Sequence, residues 1–242
     1  MRPGRVEATA AATLAAWSVH LYTALGAAIG FFALEATAYG NYRLAFIWMA
    51  VATFIDCTDG TLARRARVKE VLPHFDGAKL DDIVDYLNYV VVPVVLAFHA
   101  GFIPAGWTGL VVGAVPLLAS GYGFCQLEAK TADHFFTGFP SYWNIVVFYL
   151  YALRSPMWFN VAVLLLLSLL VFVPIRYLYP SRNRQAQALT YGLGLIWGAC
   201  VVTLLVQPAP SLVLAIASLF FPAYYMGMSL HVHFHTRVRR AA

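Results

Sequence analysis

Charged side chains are scarce in this 242-residue chain: they make up 11% of it, against 61% hydrophobic residues and a mean hydropathy of +0.71. Soluble domains carry roughly a quarter charged residues, so a water-soluble globule is excluded and a polytopic membrane protein is expected. Cysteine is nearly absent as well. Cys57, Cys125 and Cys200 stand far apart in or beside apolar segments, which leaves neither a zinc pattern nor a disulfide framework. Internal repeats, low-complexity tracts and domain linkers are missing. The first sixteen residues contain no short apolar run that ends in a cleavage site, so they read as a retained cytoplasmic tail, partly interfacial. The net charge of +5 follows membrane topology rather than a nucleic-acid surface, so no nucleic acid is expected as a partner.

What the chain does have is a succession of apolar segments. A spanning helix needs roughly 20 apolar residues. Eight candidates occur, at about 17–38, 43–62, 78–100, a fourth ending near 127, 142–153, 157–179, 188–206 and 211–230, the fifth of them short. With eight spans and both termini on one side, fourteen of the sixteen Lys and Arg residues gather on that side, and only Arg43 and Arg154 fall on the other. Positive charge marks the cytoplasmic face. The fold class expected is therefore all-α: one polytopic membrane domain over residues 1–242, a helical bundle of about eight transmembrane helices with both termini cytoplasmic. Glycines four apart (Gly26 and Gly30, Gly109 and Gly113, Gly194 and Gly198) are read as close helix packing inside that bundle.

The few acids are concentrated. Within the stretch 56–85, Asp56, Asp59, Asp81 and Asp85 stand at the ends of two apolar segments. Ionisable groups at the edge of a membrane segment are costly and mark function. Spacings of three and four place each pair on one helix face. Two such faces brought together crowd four carboxylates, which hard divalent cations with oxygen ligands, Mg²⁺ or Mn²⁺, make tolerable. A simpler alternative pairs these acids with Arg64, Arg65, Arg67 and Lys69 at the membrane surface, but it leaves the interleaved Gly60 and Ala63 without a reason. Asp76 lies outside the pattern, and Asp82 points away from Asp81 and Asp85 on a helix.

The order D-x2-D-G-x2-A-R, twelve residues, then G-x3-D-x3-D resembles the signature of the CDP-alcohol phosphotransferases of phospholipid synthesis. That family usually has eight residues between the arginine and the second glycine. The twelve found here (65–76), the chain length, the eight spans and the VHLYTALGA stretch at 19–27 resemble its bacterial choline-using branch. The resemblance implies an enzyme of the bacterial inner membrane, embedded in the lipid bilayer. Its substrates would be CDP-diacylglycerol and choline, and Mn²⁺ or Mg²⁺ its cofactor; a homodimer is compatible with this reading. Transfer of the phosphatidyl group to the choline hydroxyl would release CMP. Asp56, Asp59, Asp81 and Asp85 are then the metal ligands, and Asp85 is also the base that takes the hydroxyl proton. Asp59, Gly60, Ala63, Arg64 and Gly77 are assigned to the nucleotide and its pyrophosphate. The small residues let the nucleotide lie close to the backbone, and the Arg64 fork suits phosphate oxygens.

Choline carries a fixed positive charge that donates no hydrogen bond, so aromatic faces and a carboxylate suit it. Glu128, Tyr142 and Trp143 after the fourth span, with Tyr22 and Tyr86, are the candidates. Sister enzymes acting on inositol, serine or glycerol phosphate stay open as alternatives, although an acceptor bearing phosphate calls for arginines deep in spans five and six. A small cation-coupled transporter is the alternative from another class. It would place its acids at mid-membrane and show repeated halves, and neither is present. His231, His233 and His235 fan out on a helix, and no metal site is read there.

Overall fold

The computed structural model describes residues 9–126, 135–178 and 187–241. Two compact units divide the chain, Met1–Asn88 and Tyr89–Ala242.

Among its described residues the first unit holds four α-helices: α1 (Ala10–Ala38), α2 (Tyr42–Arg65), α3 (Val68–Val71) and α4 (Gly77–Asp85). Thr9 opens α1 by accepting the Ala12 N–H at its hydroxyl. Between α1 and α2 the chain reverses through Gly40, whose φ of 71° suits glycine, and Asn41 caps α2 by accepting from the Leu44 N–H at 3.2 Å. The resulting hairpin is antiparallel: Tyr22 and Thr23 of α1 meet Thr58 and Asp59 of α2. The long gap after Arg64 is occupied by α3, a single turn whose Val68 is buried. Asp76 then caps α4, its carboxylate accepting the Lys79 N–H at 3.1 Å. This gives a structural role to an acid that lies outside the motif.

Alongside α4, α1 runs in the same direction: Gly26 faces Val84, and Gly30 faces Leu87 and Asn88. A Cβ on Gly26 would stand 2.6 Å from Val84 Cγ1, and one on Gly30 2.8 Å from Asn88 Oδ1. The glycine pair thus lets two helices of one bundle meet, as expected. Beyond Asp85 the helix continues as a π turn, Tyr86–Val91, before α5 (Val92–His99). Pro93 sits at the start of α5 and has no N–H to return to the preceding turn, so the α pattern lapses just ahead of it.

In the second unit α5 is followed by α6 (Gly106–Cys125), α7 (Trp143–Ala152), α8 (Met157–Val171), α9 (Gln187–Val206), α10 (Leu212–Ser218) and α11 (Phe220–Ala241). Among the described residues, the one regular element that is not helical is a ribbon of two three-residue strands. β1 (Phe135–Thr137) pairs antiparallel with β2 (Arg176–Leu178), setting Phe136 opposite Tyr177. The expected sixth span is longer than the helix that forms. α8 stops at Val171, because Pro174 cannot continue it and the chain turns into β2. Buried polar groups answer one another, as an apolar surrounding demands. The Trp143 indole N–H and the Ser141 hydroxyl both donate to Ser120 Oγ, at 2.7 and 2.9 Å. Trp197 donates to the Tyr149 hydroxyl at 2.9 Å.

Among the described residues, five helices are long and apolar enough to cross a membrane: α1, α2, α6, α9 and the run Leu212–Phe234. α7 and α8 are shorter apolar helices of 10 and 15 residues. The chain is a multi-pass membrane protein.

Candidate active site

The site is assembled inside the first unit from α2 and α4. Asp56 of α2 and Asp81 and Asp85 of α4 each present one carboxylate oxygen, and the three oxygens lie within 4.8 Å of one another. All three residues are half-buried. At that separation and an effective dielectric of about 20, two ionised carboxylates repel by roughly 3.5 kcal/mol. Such crowding is stable once a cation is shared, and three hard oxygen donors at this spacing fit a divalent ion of the Mg²⁺ or Mn²⁺ type.

Asp59 stands outside this group of three. It is 5% exposed, and its Oδ2 accepts a hydrogen bond from the Thr23 hydroxyl of α1 at 2.8 Å. The neighbouring Tyr22 hydroxyl hydrogen-bonds Thr58 Oγ1 at 2.8 Å. Two consecutive side chains of α1 therefore clasp the turn of α2 that carries the acids. The sequence holds a weak signal for this contact, in that Thr23 falls inside the 19–27 stretch, but spacing along one helix does not say which partner a hydroxyl on another will find.

Arg64 lies back along its own helix. Its Nη2 donates to Thr61 Oγ1 at 2.8 Å, and a Cβ on Gly60 would come within 3.3 Å of its Nη1. The absent side chain at Gly60 leaves the guanidinium this resting place; Ala63 is half-buried beside it in sequence. Gly77 serves a similar purpose for α1. A Cβ there would stand 2.5 Å from His20 Cε1, so the imidazole lies directly over the glycine, with Phe75 packed on it at a centroid distance of 4.4 Å. His20 is 6% exposed, and its Nε2 is buried with no hydrogen-bond partner among the described residues. Asn88 bridges the same two helices, its amide N donating to the carbonyls of Gly26 and Val84, each at 3.0 Å.

Of the acceptor candidates, Tyr22 and Tyr86 belong to the first unit, and Tyr86 is half-buried where the π turn opens. Tyr142, at the N-cap of α7, is half-buried, whereas Trp143 is fully buried and committed to Ser120. Glu128 lies outside the described residues. On α11, His231 is exposed and His233 is buried, so these two face different ways, as a helix requires; the side chain of His235 is outside the description.

A family model described as CDP-alcohol phosphatidyltransferase matches residues 13–231. A phosphatidylcholine synthase of Legionella pneumophila is 41% identical over 239 residues, covering 96% of this chain and 93% of the relative. One of Pseudomonas aeruginosa is 36% identical over 216 residues, with 89% and 90% covered. One of Rhizobium meliloti is 32% identical over 224 residues, with 91% and 92% covered.

Proposed function

The chain belongs to the CDP-alcohol phosphatidyltransferase family, and on that premise we propose that it transfers the phosphatidyl group of CDP-diacylglycerol to the hydroxyl of choline, forming phosphatidylcholine and CMP. The observation that carries this reading is the convergence of Asp56, Asp81 and Asp85 to within 4.8 Å, in a chain whose relatives at 32–41% identity are phosphatidylcholine synthases over most of its length.

Each motif residue then has a task. Asp56, Asp81 and Asp85 hold the divalent cation, and Asp59 completes the acidic wall from its place against Thr23. When bound, Mg²⁺ or Mn²⁺ neutralises the pyrophosphate and polarises the phosphorus under attack. The choline oxygen forms the new bond to the lipid-side phosphorus, the bond from that phosphorus to the bridging oxygen breaks, and CMP leaves with that oxygen. Asp85 accepts the hydroxyl proton. Arg64, exposed and lightly held by Thr61, turns its fork to the phosphate of the departing CMP. Gly60, Ala63 and Gly77 keep the backbone close to the nucleotide. The distribution of arginine and lysine supports eight crossings of the bacterial inner membrane as a single membrane domain, with both termini and this site on the cytoplasmic face. The acyl chains stay in lipid while choline arrives from water.

The test supplies purified enzyme with CDP-diacylglycerol, Mn²⁺ and labelled choline, inositol, serine or glycerol phosphate. Labelled lipid is expected from choline alone. It is expected to fall at least a hundredfold on chelation by EDTA or in Asp56→Asn and Asp81→Asn, in line with the several kcal/mol a metal contributes to such chemistry. Labelling from inositol and none from choline would overturn the acceptor, and full turnover in EDTA would overturn the metal.

A further inference from the structure

Four tyrosines from four elements of the second unit come together: Tyr89 of the π turn, Tyr142 at the N-cap of α7, Tyr177 of β2 and Tyr225 of α11. Ring centroids lie 6.2 Å apart for Tyr89 and Tyr142, 6.2 Å for Tyr142 and Tyr225, and 6.5 Å for Tyr225 and Tyr177. The planes are inclined by 57° and 62° at the first two junctions and by 20° at the third. The first two junctions therefore turn corners, while Tyr225 and Tyr177 lie nearly parallel. The hydroxyls of Tyr142 and Tyr225 hydrogen-bond one another, which ties their polar ends together. Tyr89 and Tyr177 are buried, while Tyr142 and Tyr225 keep part of their surface accessible.

We propose that these four tyrosines form an aromatic box that holds the trimethylammonium group of choline. The proposal rests on the reading of choline as acceptor. A quaternary ammonium has charge but no N–H, so it is recognised by the negative faces of aromatic rings. This half of the chain has little else to offer a cation: after residue 88 its acids are Glu128 and Asp133 alone. Packing in a membrane bundle is served by leucine or phenylalanine. A hydroxylated ring needs a partner for its O–H, and four from separate elements, each against the next, are a costly way to fill space. The setting agrees, since β2 and the N-cap of α7 belong to the same stretches of sequence as Lys130, Arg182 and Arg184, on the side that the charge distribution assigns to the cytoplasm. A water-soluble alcohol reaches the enzyme from there. Tyr89 stands four residues after Asp85 in the chain, and Tyr142 precedes Trp143, whose burial and bond to Ser120 give it a packing task instead. Tyr89, Tyr177 and Tyr225 carry no signal in the sequence that marks them among its 14 tyrosines.

The experiment measures choline KM, CDP-diacylglycerol KM and kcat on the full-length enzyme in micelles. Tyr142→Leu and Tyr225→Leu are each expected to raise choline KM roughly tenfold while CDP-diacylglycerol KM moves less than about twofold, and Tyr225→Phe is expected to stay within about threefold of wild type. The deciding series places phenylalanine and then mono-, di- and trifluorophenylalanine at position 225, which keeps the ring's shape and drains its face. Choline KM should climb with each fluorine, while the inhibition constant of 3,3-dimethylbutan-1-ol, the uncharged isostere, stays level. A choline KM that ignores fluorination overturns the box, whether or not the leucine variants fold. The same chemistry is carried by the headgroup of phosphatidylcholine, so product inhibition is followed in parallel. Inhibition that weakens with fluorine beside a level choline KM would assign the rings to lipid and overturn the proposal. A wild-type enzyme that makes no lipid from choline would instead defeat the choice of acceptor.

Discussion

Asp59 receives a hydrogen bond from a hydroxyl on another helix, and that bond ties its carboxylate to α1. A hydrogen bond to an ionised group contributes roughly 1.5–3 kcal/mol, and here it also orients an acid that, within the proposed site, belongs to the metal and nucleotide wall. Thr23→Val keeps the shape and removes the donor. It is expected to lower kcat roughly tenfold and to raise the Mn²⁺ concentration needed for half-maximal activity, with Thr23→Ser restoring both. Unaltered Mn²⁺ dependence in the valine variant would show that the bond serves packing alone. Residues of this kind were the least legible in the sequence. The spacing of Asp56, Asp59, Asp81 and Asp85 could be read from one dimension, because helix periodicity fixes which acids share a face. That three oxygens gather while the fourth turns to Thr23 depends on the angle between α1 and α2, which no local pattern encodes.

At the scale of elements, the contact between α1 and α4 is organised by what three glycines leave out. Gly26 and Gly30 admit Val84 and Asn88, and Gly77 admits the His20 ring. The first two are legible as a four-residue small-residue spacing, and Gly77 reads either as room for substrate or as a place where two helices meet, but nothing in the sequence says that His20 lies over it. Gly77→Ala drives a methyl group to 2.5 Å from Cε1 of the buried His20 ring, so one of the two must shift. It is expected to destabilise the folded enzyme by about 1–3 kcal/mol through overpacking, read as a lowered Tm in detergent. Adding His20→Ala should recover much of that loss. A neutral Gly77→Ala, or a double variant with no recovery, would mean that the two residues do not press on each other. The β1–β2 ribbon lay beyond any sequence reading, because its strands are three residues long and come from loops about forty residues apart.

For the whole molecule, composition was a better guide than for any of its parts. The low charge content pointed to the membrane, and among the described residues five helices have the length and apolarity to cross it. The third, fifth and sixth crossings rest on charge distribution instead, since the third is divided among α4, the π turn and α5, and α7 and α8 are short. Reporter fusions separate the cases: with eight crossings, alkaline phosphatase should be active after Gly40, Gly101, Arg154 and Pro208 and silent after Pro73, Gln126 and Arg184. Activity at Gln126 or Arg184 would require an odd number of crossings before it and redraw the topology. One feature of the long helix after Gly77 bears on how such a gene can change. The π turn accommodates one residue more than a regular coil would, and Asn88 reaches both of its carbonyl partners from that looser winding. Loss of a single codon between Tyr86 and Val91 would still spell an excellent helix, yet it would rotate every later side chain by about 100°. Reading frame intact and hydropathy unchanged, such an allele would look harmless on paper while its product pointed the wrong residues inward.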